Sequence, residues 1–133
     1  MTRFILGPDA AMWLAERAAA VSPRHRLLAP TLIRSQVLAL LYAEVRRGAL
    51  TRKEAESRLV YLRELRMRLL GDRAMQQVAW RIADRLGWAD TFVAEYLALT
   101  QLQGDALVTS DAELKRAAQG IVAFALVEEL LVQ

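Results

Sequence analysis

The sequence predicts a three-layer α/β fold with a mostly parallel central sheet. Three observations carry that expectation. Short apolar runs alternate with longer helical stretches in the order βα, β, αα, β, αα, βα, β. Runs of this kind suit strands buried between two layers of helices. Two aspartates, Asp9 and Asp111, each follow such a run closely. That puts both at the carboxyl edge of a parallel sheet, where folds of this class build their sites. The chain has 133 residues, enough for one domain with its own core, and a single domain over 1–133 is expected.

The elements are justified in turn. RFIL at 3–6 is the first strand, and Gly7-Pro8 turns the chain into a helix over 10–20. Asp9 sits at that junction and reads in two ways. It is an N-cap, accepting hydrogen bonds from the free N–H groups of a first turn, or it is one of two carboxylates that meet at the sheet edge. Residues 22–26 form a loop holding His25, the only histidine. LLA at 27–29 is the second strand, and Pro30 opens a helix that runs to Arg47 and stops at Gly48, a favoured residue just past a helix end. Leu32, Ile33, Gln36, Val37, Leu40 and Leu41 share one stripe of it. Gln36 is the polar exception, either a satisfied core amide or the border of a site, because a buried polar group needs a partner.

Thr51 and Glu54 form a capping box for a helix through Leu62. MRLL at 67–70 is a brief strand. Asp72 caps a helix that ends at Gly87. A largely apolar helix spans 89–101 and ALV at 106–108 is a buried strand. Ser110 and Glu113 read as another capping box, which places Asp111 in a first turn, where the helix dipole favours a carboxylate whatever its role. A last strand is expected over 121–126.

Composition narrows the chemistry. There are no cysteines, which excludes disulfides and thiolate metal sites and fits a cytoplasmic protein. No window approaches 18 uncharged apolar residues, so no membrane span is expected. A single histidine excludes a histidine metal cluster and leaves nucleophile–His catalysis only a loop residue to draw on. The net charge is +3, and sixteen of the eighteen basic residues are arginine, whose planar fork matches phosphate. Residues 24–73 carry twelve basic and five acidic side chains, whereas residues 74–133 carry four and eight. One basic and one acidic half fit a polyanion-binding face beside an acidic site, or merely solvated helix faces. The hydrophobic content of 55% argues for a buried oligomer interface.

Three stretches, FILGPDAA, LLAPTLIRSQVLALLYAEVRRGALT and TFVAEYLALTQLQGDALVTSDAEL, in this order and spacing, resemble PIN domains of the VapC toxin type. These are small metal-dependent ribonucleases, usually half of a toxin–antitoxin pair. The resemblance covers nearly the whole chain. It implies Mg²⁺ or Mn²⁺ held by four carboxylates, since hard cations want oxygen ligands, with the metal activating water against an RNA phosphodiester. It also implies an antitoxin-like partner and a homodimer.

Carried over residue by residue, the first acid of the family falls on Asp9 and the last on Asp111, with Thr109 as the accompanying threonine. The second falls on Gln36 and the third on Val93, three residues before Tyr96. Two of the four acids are therefore replaced. Asp90, one turn before Val93, either stands in as a third metal ligand or is a first-turn acid or N-cap of its own helix. Two outcomes follow. The first is a weak or inactive nuclease that binds RNA, a ligand or a protein partner. The second is an active endoribonuclease working through Asp9, Asp111 and Asp90, with Gln36 orienting water.

Overall fold

The structure is a computed structural model and describes residues 1–132. Its centre is a five-stranded sheet in the order β3-β2-β1-β4-β5. The strands are β1 (Thr2–Leu6), β2 (His25–Pro30), β3 (Arg68–Leu70), β4 (Ala106–Val108) and β5 (Phe124–Ala125). All four pairings are parallel, so the expected sheet is present without an antiparallel strand. The helices are α1 (Pro8–Arg17), α2 (Ile33–Arg46), α3 (Arg52–Glu64), α4 (Arg73–Leu86), α5 (Phe92–Gln103) and the short α6 (Ala112–Ala117).

Strand order fixes the layers. From β1 the chain steps outward to β2 and then β3, crosses back over β1 to β4, and steps the other way to β5. Right-handed crossovers in opposite directions lie on opposite faces of a sheet. The helices group accordingly: α1, α2 and α3 pack on one another, while α5 packs on α4, β1, β2 and β4. Ile5, Leu6, Leu28, Leu107 and Val108 are almost wholly buried between the layers. The direction of stepping reverses between β1 and β4. That reversal leaves a crevice at their carboxyl ends, because the connections leaving the two strands turn away to opposite faces.

Two glycines mark close approaches. A Cβ on Gly7 would lie 2.8 Å from the carbonyl oxygen of Val108 and 2.9 Å from Asp9 Oδ1. The chain thus needs a bare backbone where β1 leaves the sheet, and Gly7 N–H donates to that same Val108 carbonyl at 3.0 Å. A Cβ on Gly104 would lie 2.7 Å from Ile5 Cγ1, so the end of α5 can cross β1 this tightly only with glycine.

Several boundaries differ from expectation. Pro30 does not open α2; it is the last residue of β2, opposite Leu70 of β3. Thr31 N–H then bonds the Leu70 carbonyl and delays the helix to Ile33. Leu40 leaves the buried stripe and is 43% exposed. The helix expected over 10–20 ends at Arg17, because Ala18 takes a left-handed conformation with φ 45°. The helix expected from 89 begins only at Phe92. The last strand shrinks from 121–126 to two residues, and a 3₁₀ turn, Val127–Leu130, follows. His25 is not a solvated loop residue. It starts β2 and is half-buried, its ring edge-on to Phe4 at 5.0 Å.

Candidate acidic pocket at the strand reversal

Asp9 lies in the first turn of α1, but it does not cap that helix. Gly7 holds the N-cap position without a side-chain bond. The Asp9 carboxylate reaches across the crevice to the end of β4. Its Oδ2 accepts from Thr109 Oγ1 at 2.9 Å, Ser110 N–H at 2.8 Å and Ser110 Oγ at 2.9 Å. Thr109 is buried, and its hydroxyl also accepts from the Asp111 N–H at 3.1 Å. A relay therefore runs from the Asp111 backbone through Thr109 to Asp9.

The expected Ser110–Glu113 capping box is absent. Ser110 spends both of its donors on Asp9, and Asp111 becomes the N-cap of α6, accepting from Leu114 N–H at 3.1 Å. A carboxylate that far away in sequence outcompetes the local cap for the serine. Ser110 is the site residue that sequence reasoning missed. The available signal was a second hydroxyl residue directly after Thr109 at a strand end.

Asp9, Gln36, Val93, Tyr96, Thr109 and Asp111 line one cavity of about 270 Å³, together with Leu40, Leu107 and Leu114. The structure thus brings Asp9, Asp111, Thr109 and Gln36 together, with Val93 beside them. Asp90 is not part of that lining. It precedes α5, and its Oδ1 accepts from Phe92 N–H at 3.2 Å, tying it to the helix start.

Gln36 of α2 and Tyr96 of α5 come from opposite helical layers and close the pocket. The Tyr96 hydroxyl donates to Gln36 Oε1. Burial pushes the Tyr96 pKa far above its ordinary value, and the negative charges of Glu95 and Asp9 push it further. Tyr96 therefore remains a neutral donor. The expected partner of the Gln36 amide is this phenol, across 60 positions of sequence.

The donor set falls short of the four carboxylates that the family resemblance implies for a divalent metal centre. Such ions take several oxygen ligands, preferably anionic. Here one oxygen of Asp9 already serves three donors, and Asp111 Oδ1 holds a helix cap. Gln36 contributes an oxygen bound to Tyr96, and the remaining wall is Gly7, Pro8, Thr109, three leucines and Val93. No group of three His, Cys, Asp or Glu side chains placed to hold a metal occurs among the described residues.

Comparison with solved structures supports the fold. PAE2754 from Pyrobaculum aerophilum superposes with a TM-score of 0.68 at 22% identity, over 97% of this chain and 92% of that one. A chain of VapBC2 from Rickettsia felis, solved bound to a DNA fragment from their promoter, gives a TM-score of 0.57 at 12% identity, over 93% and 98%. No protein-family model matches the sequence, and no curated protein matches it. At these identities the likeness is one of fold. The parallel α/β architecture fits a PIN-like domain. No described helix is long and apolar enough to cross a membrane.

Proposed function

We propose that the chain is a PIN-like protein of the VapC type that acts by binding and does not run metal-dependent RNA cleavage. One observation carries the reading. At the strand reversal, two of the four positions where the family resemblance expects acids hold Gln36, bonded to a neutral tyrosine, and Val93. The charge that would draw in a cation and offset a phosphodiester under attack is halved. A Gln36 that accepts from Tyr96 keeps the shape of glutamate without its charge.

The reading includes RNA as a ligand, an antitoxin-like protein partner and a homodimer. The likeness to a VapBC2 chain favours the partner. Leu38, Tyr42 and Phe92 are each more than half exposed, and apolar side chains of that size on a small domain favour self-association.

The test is an endoribonuclease assay on mixed RNA with Mg²⁺ or Mn²⁺, run on the native chain and on a Gln36→Glu, Val93→Asp variant. The native chain is expected to leave the RNA intact and the variant to cut it. Cleavage by the native chain, lost in Asp9→Asn, would overturn the reading in favour of an active nuclease using Asp9, Asp111 and Asp90.

A further inference from the structure

The opposite, amino-terminal edge of the sheet carries an arrangement that the pocket does not use. Arg3 of β1 pairs in register with Arg26 of β2. Arg68 of β3 pairs with Leu28, two residues beyond Arg26. Side chains alternate along a strand, so Arg3, Arg26 and Arg68 stand on one face of three adjacent strands. The face is that of α5, since Ile5, two residues after Arg3, meets Gly104 at the end of that helix. Arg66 joins them just before β3. These four arginines and Gln103 line a groove of about 860 Å³ that no carboxylate lines.

None of the four guanidinium groups forms an ion pair among the described residues. Asp105 accepts the backbone N–H of Arg3 at 2.8 Å, not its guanidinium. Arg26 Nε turns to the thioether of Met1, a weak acceptor. Strands lie about 4.8 Å apart. Three cations at that spacing repel one another unless an anion lies among them. A lone arginine on a strand edge is ordinary solubility chemistry, but an in-register pair, Arg3 and Arg26, with Arg68 two residues further along on the same face and no ion pair among the described residues, is not.

We infer that this groove binds the sugar–phosphate backbone of single-stranded RNA. Three strands span about 10 Å, room for one strand and not for a duplex. The guanidinium forks match phosphate oxygens. Gln103 and Ser22 add neutral polar groups suited to a ribose 2′-hydroxyl, which both donates and accepts. His25, edge-on to Phe4, is the only aromatic ring lining the groove among the described residues, so the site grips backbone and does not read bases. This inference rests on the proposed reading that RNA is a ligand, and it assigns that ligand to a groove away from the acidic pocket.

The test is fluorescence anisotropy with a labelled single-stranded RNA dodecamer of mixed sequence and its DNA counterpart, at two salt concentrations. The native chain is expected to bind RNA more tightly than DNA. The triple variant Arg3→Gln, Arg26→Gln, Arg68→Gln is expected to bind at least tenfold more weakly, with a log–log salt slope shallower by ~2, about 0.7 for each lost phosphate contact. The corresponding triple lysine variant should keep most of the affinity, which separates lost charge from lost fold. Inorganic phosphate should compete poorly, because it offers one anion where the groove takes several. The proposal is overturned if the native chain does not bind RNA, if DNA binds as well, or if free phosphate displaces RNA readily. It is equally overturned if Arg73→Gln, Arg81→Gln on the outer face of α4 weakens binding as much as the groove triple.

Discussion

The two ends of one sheet treat charge in opposite ways. At the carboxyl end, Asp9 and Asp111 are bound to hydroxyls and backbone N–H groups, and the pocket between them is walled with leucine and valine. At the amino end, Arg3, Arg26, Arg66 and Arg68 stand in the open without ion pairs among the described residues. Charges whose hydrogen bonds are made inside the protein contribute to its folding. Charges left without a counter-ion are available to something outside. Both proposals rest on that criterion: a carboxyl edge that does not cut RNA, and an amino edge open to a ligand.

The largest expected effect would break this contrast at the acidic end. Gln36→Glu with Val93→Asp should raise Mn²⁺ affinity on the order of 100-fold, read by calorimetric titration, because two anionic oxygens join two already present. Equal binding by the native chain would mean that Asp9 and Asp111 suffice.

Asp9→Ala sharpens the contrast from the stability side. It removes an anion that accepts three hydrogen bonds and leaves buried Thr109 without its acceptor. Urea unfolding should show a loss of about 2 kcal/mol. A loss near zero would mean that the bonds to Asp9 do not support folding. Gly104→Ala should cost about 1.5 kcal/mol by overpacking against Ile5, measured in the same way, without altering either edge's chemistry. The smallest effect has the opposite sign. Arg26→Gln should stabilise the protein by ~0.2–1 kcal/mol, since it relieves a like-charge pair in register with Arg3. Destabilisation instead would show that Arg26 is a structural residue.

Much of this architecture was legible in the sequence. The strands 3–6 and 106–108, the Thr51–Glu54 box, the Asp72 cap and the stop at Gly87 all depend on neighbours a few residues away, and each appears as expected. What failed depended on distant partners. Pro30 reads as a helix opener until β3 arrives beside it. Ser110 reads as a cap until Asp9 is seen 101 positions away. Asp90 reads as lying inside a helix that in the structure begins only at Phe92. The set of Asp9, Gln36, Thr109 and Asp111 was legible because parallel sheets gather residues that follow strands. The arginine row was not, because strand register cannot be read from composition.

The bonds between Asp9 and Ser110 also set a clock. Their partners are separated by 101 positions. At translation rates of about 5–20 residues per second, Asp9 leaves the ribosome roughly 5–20 s before the serine that will hold it. Arg3 is made before Asp9, and Arg26, Arg66 and Arg68 all follow within that interval, ahead of β4. A growing chain thus carries its cationic strands for seconds with Asp9 at their far end and no β4 to receive it, so nascent chains stalled before residue 105 can display the basic residues but never the pocket.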